Sequence, residues 1–318
     1  MGAMQEYLRA FRAMGSDCVV RIVVDDDRAE PILDRVVEKV AELEKRWSRF
    51  LPDSEVSQLN DHAGAPVFVS PETFTLLSLA IDAWRVTGGR FDPTLLDALQ
   101  RVGYDTTFDD MATRPPVDVA EVVVNTNGLD SVVLDARSFM VHAPAGLHFD
   151  LGGIGKGYAA DCVFVQVMED GVSGACLDFG GDVRVGGITA EGGGWPIVID
   201  DPFRPGEDLA VLGLGDGAVT TSSRLRRKWP TTAGEAHHLL DPATSQPAES
   251  GLASVTVIAA HAAWGEVHAK AALIAGVADG AALIENAGLS GLLVTDDGDS
   301  IAVGQFEAFV MNGPTLDQ

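Results

Sequence analysis

Positive charge is scarce in this chain. Among its 318 residues, 22 are Lys or Arg and 47 are Asp or Glu, for a formal net charge of −25. A surface this acidic repels nucleic acid and anionic lipid, which excludes nucleic acid as a partner. A phosphate ligand would need a locally built site of backbone N–H groups, a lysine or arginine, or a metal ion. Cysteine is scarce as well. Cys18, Cys162 and Cys176 are odd in number, far apart and without a CxxC pair, which excludes a disulfide framework or a zinc-type cluster. They read as buried free thiols in a reducing compartment. No run approaches the roughly 20 apolar residues of a membrane span. The opening MGAMQEYLRAFRAMGSD has neither the apolar core of a signal peptide nor a lipobox cysteine. These absences read as a cytoplasmic protein with no membrane insertion. Several catalytic signatures are missing too. There is no HExxH, and Gly171-Val172-Ser173-Gly174 misses the GxSxG spacing of a serine-hydrolase elbow.

The chain does have enough apolar residues, 46%, to bury a substantial core. Asp17–Val24 alternates as a strand after a Met-Gly-Ser turn. Pro31 to Arg46 carries apolar residues at helical spacing, with proline near the first turn. Pro71 to Val86 repeats the pattern until Gly88-Gly89. A short helix is expected from Pro93 or Thr94, and a polar loop over Thr106–Asp118. From Val122 onward, short strands with glycine-rich turns dominate. They are expected at Ser131–Leu134, Leu147–Leu151, Ala175–Phe179, Val183–Val185, Pro196–Ile199, Ala218–Ser222, Ser254–Ala259 and Gly291–Val294. Helices are expected at about Gly157 to Glu169, Ala262 to Ala275 and Ala281–Asn286. The fold class is therefore α+β, or mixed α/β, with mostly antiparallel strands. No linker divides the chain, so residues 1–318 read as a single domain, with 1–10 and 305–318 as peripheral tails.

The most informative segment is Phe149-Asp-Leu-Gly-Gly-Ile-Gly-Lys-Gly-Tyr-Ala-Ala-Asp161. A strand would deliver Asp150, glycines would let the backbone approach a ligand, and a helix would start near Lys156. Lys156 precedes Gly157 and no glycine stands five positions upstream of the pair, so this is not a P-loop. Tyr158 also breaks GxGxxG. A tight strand-to-helix turn with an incidental lysine explains the segment too. In Gly89-Arg90-Phe91-Asp92-Pro93-Thr94, Asp92 or Thr94 would cap the next helix. In Ala236-His237-His238-Leu239-Leu240-Asp241-Pro242, the histidines suit a base, a ligand or a plain structural hydrogen bonder. Glu266 and Lys270, four apart on one helix face, suit an ordinary ion pair. Arg224, Arg226, Arg227 and Lys228 follow Thr220-Thr221-Ser222-Ser223 as a basic cluster.

Seven segments occur in a familiar order: Met14-Gly15-Ser16, Trp47 to Asn60, Gly89 to Thr94, Asp150 to Asp161, Leu177 to Asp182, Thr221-Ser222-Ser223, and His237 to Pro242. Over about Met14 to Val294 the chain resembles the ApbE family of FAD:protein FMN transferases. The resemblance implies a mixed α/β fold that binds FAD in a cleft. FMN would pass from FAD to a Thr or Ser hydroxyl of an acceptor flavoprotein, with release of AMP. It implies FAD contacts at Met14, Phe50, Arg90, Phe91, Asp92, Asp150, Lys156 and Leu239, with Phe50 where the family often has tyrosine. It makes His238 a pyrophosphate contact or proton carrier, beside Lys156, Glu266 and Lys270 as catalytic candidates.

The family's Mg²⁺ is implied at a backbone carbonyl matching Gly153 and at an Asp and a Thr four residues apart. Here those two positions are Glu266 and Lys270. Glutamate still binds Mg²⁺, but a protonated lysine has no lone pair to offer. The expectation is that the Lys270 ammonium pairs with Glu266 and stands in for the metal at the FAD phosphates. Two other outcomes stay open: an FAD-binding protein with weak or no transferase activity, and an FAD pyrophosphatase that releases FMN and AMP.

Overall fold

A computed structural model describes residues 4–111, 114–117, 128–232 and 234–311. The chain, read from its sequence as one domain over 1–318, falls into two compact units interleaved along its length. The first takes the chain up to Val40, Lys156–Ser223 and the chain from Gly251. The second takes Ala41–Gly155 and Arg224–Ser250. Because the chain crosses between units four times, no single linker marks a boundary.

The first unit is built on an eight-stranded antiparallel sheet. Its order is Gln5–Ala13, Ser16–Val24, Gly174–Phe179, Asp182–Gly187, Asp216–Ser223, Leu252–Ala259, Ser290–Thr295 and Ser300–Val303. Met14 and Gly15 join the first two strands with φ of 52° and 63°, the positive pair of a tight hairpin turn. Gly180 and Gly181 do the same ahead of Asp182, at 72° and 92°. Strand alternation gives the sheet two faces. Val183, Val185, Val219 and Ile258 pack with Trp195, Ile197, Leu212 and Leu214 of the ribbon Trp195–Asp200/Asp208–Leu214. Asp182 and Arg184, one residue out of phase with the valines, point the other way. On that face the helix Ala262–Ala275 packs against the strands Asp216–Ser223 and Leu252–Ala259.

In the second unit, Ser54 caps the helix Glu55–Asp61, and Ser70 caps Pro71–Val86 through the N–H of Thr73. Thr87, Gly88 and Gly89 end the latter, both glycines at positive φ. A three-stranded sheet takes the order Pro66–Phe68, Met140–His142, Val133–Asp135. Leu95, Leu99, Tyr104, Met111, Trp229 and Leu240 form a core there, with Phe50 against it.

The structure differs from sequence expectation in several places. Leu147–Leu151 joins no sheet. Its place is fixed by Asn60, whose amide donates to the Phe149 carbonyl at 2.9 Å and accepts from the Phe149 N–H at 2.7 Å. Asp150 N–H then donates to Pro93 O at 2.8 Å. One amide side chain thus does the work of a neighbouring strand, which alternation does not reveal. The helix expected from Pro31 runs Asp26–Trp47, with Pro31 inside it rather than in its first turn. The helix after Pro93 is Leu96–Arg101, and neither Asp92 nor Thr94 caps it: Leu95 holds the cap position without a side-chain bond. The described parts of the expected tails are built in, and 1–3 and 312–318 lie outside the described residues. Gln5–Ala13 is an edge strand, and Phe306 is 2% exposed in the core beneath the ribbon. Phe108–Met111 forms a helical turn within the expected loop, of which 112, 113 and 118 lie outside the described residues.

Gly157 marks a close approach of two helices on that face. A Cβ there would come within 2.5 Å of the Ala262 carbonyl oxygen and 2.7 Å of the Ala263 nitrogen. Gly157→Ala should therefore cost about 1–3 kcal/mol in urea unfolding. Gly155→Ala, whose Cβ meets nothing within 4 Å, should be neutral or stabilise by about 0.5–1 kcal/mol.

Candidate active site

The first unit gathers a lysine and two carboxylates on the helix face of its sheet. Lys156 is the second residue of the helix Gly155–Glu169. Its ammonium bonds Asp182 and lies 3.3 Å from Glu266 Oε1. Asp182 opens its strand directly after the Gly180-Gly181 turn, and Glu266 lies in the helix Ala262–Ala275. The other oxygen of Glu266 accepts from the Gly157 N–H at 2.9 Å. The side chains of Asp182 and Glu266 are 3% and 5% exposed, that of Lys156 15%. Carboxylates so withdrawn from water persist as ions only when paired, and the ammonium pairs both.

The helix that carries Glu266 is itself pinned. His261 occupies its cap position without a side-chain bond. Asp161 supplies the cap from another helix, accepting from Ala262 N–H at 2.9 Å and Ala263 N–H at 3.0 Å. Burial pushes the Asp161 carboxyl up, and those two N–H bonds pull it back. Arg184 backs it, with Nε 3.5 Å from Asp161, Nη1 2.9 Å from Asp216, and the guanidinium 3.9 Å above the Phe164 ring.

The second unit holds a separate cationic element. Arg49 Nε pairs with Asp150 at 2.8 Å, the two side chains being 6% and 13% exposed. Its guanidinium donates to Tyr104 O at 2.8 Å and lies 4.1 Å from the Phe50 ring centre and 4.6 Å from that of Tyr104. Asp150 also accepts from the Gly152 N–H at 2.7 Å, which closes the glycine bend before Gly153. Asp92 accepts from both the N–H and hydroxyl of Thr94, at 2.8 and 2.6 Å. Burial pushes its carboxyl up against those bonds. Phe91 and Leu239 are 2% and 1% exposed, so their side chains belong to the interior. His237 Nδ1 accepts from the Leu239 N–H at 3.3 Å, and burial pushes its pKa down. A cavity of about 560 Å³ in this unit is lined by Glu235, Asp241 and Glu249 among others. None of the candidate residues lines it, and its acidity suits no diphosphate.

The family comparison decides what these halves belong to. The ApbE family model matches residues 14–293. The chain belongs to the ApbE family. The FAD:protein FMN transferase of Vibrio cholerae is 26% identical to this ApbE chain, over 91% of this chain and 86% of that protein. The transferase of the same name from Treponema pallidum is 28% identical, over 92% and 86%. The crystal structure of the ApbE protein from Thermotoga maritima superposes with a TM-score of 0.83 at 28% identity, covering 97% of this chain and 100% of that one. The flavin transferase ApbE of Vibrio cholerae gives 0.81 at 22% identity, covering 96% and 99%, a likeness of fold.

Of the residues singled out in this ApbE sequence, the structure brings Lys156 and Glu266 together. Met14 lies at the first hairpin turn of the same unit, and Lys270 one helical turn beyond Glu266. Phe50, Arg90, Phe91, Asp92, Asp150, Gly153, His238 and Leu239 belong to the second unit. Sequence reading missed the partners. Asp182 was visible only as the acid closing Leu177–Asp182, and Arg49 only as a letter beside Phe50. Glu266 also meets Lys156 and the Gly157 N–H, contacts that the spacing of Glu266 and Lys270 does not announce.

The residues do not fit Mg²⁺ in the family's manner. Glu266 already engages both oxygens with protein donors, one of them an ammonium. Lys270 offers no lone pair. Among the described residues no group of three His, Cys, Asp or Glu could hold a metal ion.

Two tests follow. Arg49→Ala leaves Asp150 buried beside an empty space and should destabilise the fold by about 3–5 kcal/mol. Arg49→Lys should recover part of that loss without the stacking. Burial also lowers the pKa of His237 and His268 below the ordinary 6.5. The unfolded chain then takes up protons that the folded one refuses, so stability should fall as pH drops through 6.5. Thermal unfolding across that range checks the slope, which His268→Gln should make shallower.

Proposed function

We propose that this chain is an FAD:protein FMN transferase. It binds FAD and moves FMN to a Thr or Ser hydroxyl of a partner protein, and AMP leaves. The observation that carries the reading is the part-buried Lys156 ammonium at the start of the helix Gly155–Glu169, set between two carboxylates in a chain of net charge −25. The two carboxylates hold the ammonium at the start of a helix, where free backbone N–H groups and the dipole favour a phosphate ligand. Membership of a family whose curated relatives are FAD:protein FMN transferases supports the same reading. The family match runs through both units, over residues 14–293.

Transfer of a phosphoryl group asks for alignment and charge neutralisation more than for a covalent intermediate. In this proposal the Lys156 ammonium faces the FAD pyrophosphate, with the N-terminal dipole of its helix behind it. His238 contacts the pyrophosphate or carries the acceptor's proton. Met14, Phe50, Arg90, Phe91, Asp92, Asp150 and Leu239 hold the flavin and adenine ends. With Phe91 and Leu239 interior, the backbone and the exposed edges of Phe50 and Arg90 make those contacts. Asp150 acts through the bend it shapes, because Arg49 and the Gly152 N–H already occupy its oxygens.

The test is incubation with FAD and a flavoprotein domain that carries a Thr acceptor. Flavin should remain on the acceptor after acid precipitation and fluoresce in the gel, with AMP released in equal amount. AMP and free FMN in the absence of acceptor would make the chain a pyrophosphatase. FAD binding without AMP would make it a flavin-binding protein. No FAD binding at all would end the reading.

A further inference from the structure

The departure from the family's metal ligands and the lysine cluster have one explanation in common. Glu266 and Asp182 bring two negative charges into the interior, and Lys156 brings one positive charge between them. Lys270, four residues after Glu266 in the same helix, lies on the same face and brings the second. The four groups sum to zero. A threonine at position 270 would leave these groups with one negative charge in excess, a setting that attracts a divalent cation rather than repelling it. Mg²⁺ also demands near-octahedral oxygen ligands and keeps waters of its own. Glu266, 5% exposed, gives Oε2 to the Gly157 N–H and Oε1 to Lys156.

We infer that Lys156, clamped by Asp182 and Glu266 and balanced by Lys270, is the resident cation of this site, and that the chain binds and cleaves FAD without a divalent metal. The inference rests on the transferase reading above. The step needs no metal for its balance. The acceptor's hydroxyl oxygen bonds to the FMN-side phosphorus. The bond from that phosphorus to the bridging oxygen breaks, and the oxygen leaves on AMP. The hydroxyl proton ends on the AMP phosphate. Nothing is oxidised or reduced. Through that displacement the Lys156 ammonium faces the phosphate oxygens, a role for which its two carboxylate partners hold it in place.

The experiment is an FAD titration of the purified chain, followed by flavin fluorescence, in EDTA and in magnesium chloride. Elemental analysis of the same sample and AMP release with an acceptor accompany it. The FAD Kd should agree within about twofold between the two buffers, AMP release should persist in EDTA, and the purified chain should carry no stoichiometric magnesium. The Glu266→Asp/Lys270→Thr double variant should become magnesium-responsive, its FAD Kd falling at least about tenfold when the metal is added. Lys270→Thr alone, which keeps Glu266 and its bond to Gly157, serves if the double variant does not fold. FAD binding or AMP release that stops in EDTA overturns the inference and leaves the transferase reading standing. A folded variant that stays indifferent to magnesium also overturns it, because charge at position 270 would then not decide the metal. Failure to bind FAD in either buffer overturns the functional reading and the inference together.

Discussion

The carboxylate of Glu266 is the joint on which the first unit's chemistry turns. It reaches from one helix to the backbone of another, accepting from Gly157, and on its second oxygen meets the ammonium of Lys156. The reach works only because residue 157 has no side chain. With the Ala262 carbonyl already against that position, any Cβ would push the helices apart and lengthen both bonds. Backbone approach, buried charge and lysine placement are thus one constraint. Asp161 secures it from the opposite direction by holding the first two N–H groups of the Glu266 helix. Since 11 of that helix's 14 residues are buried, water has little access to its end, and a protein cap is the available partner.

A common solution to acidity runs through both units. The interior cations are each matched to carboxylate: Lys156 with Asp182 and Glu266, Arg184 with Asp161 and Asp216, Arg49 with Asp150. The two arginines add an aromatic face beneath the guanidinium, Phe164 for Arg184, and Phe50 with Tyr104 for Arg49. A delocalised, weakly hydrated guanidinium stacks on such a face more readily than a compact, strongly hydrated ammonium. The lysine alone lacks that support, and it is the one placed at a helix N-terminus, where a fixed charge faces outward from the axis.

The sequence made much of this legible, for physical reasons that differ by element. The helix Ala262–Ala275 and the strand Leu252–Ala259 follow from composition and period, because their surroundings demand little beyond apolar side chains. The glycine bend and Lys156 stand out because few residues tolerate such a backbone. The strand Gln5–Ala13 does not stand out. It is an edge strand with mostly exposed or half-buried residues, and it borrows its order from the register of Ser16–Val24. Arg49 and Asp182 were also hidden as site residues. Their importance lies in pairing with residues 101 and 26 positions away, Asp150 and Lys156, and pairing across such distances leaves no local mark. The family resemblance named Glu266 but not its contacts to Lys156 and Gly157.

The bracket that Asn60 forms around Phe149 carries a chemical liability of its own. A carboxamide is the one side chain that both gives and takes a hydrogen at this spacing, and it does so for a stretch of backbone that no sheet supports. Hydrolytic loss of ammonia from Asn60 would leave an aspartate. It would still accept from the Phe149 N–H, but it would set a bare anion against the Phe149 carbonyl. Ageing at one atom would then slacken the approach to the bend while every helix and strand stayed intact.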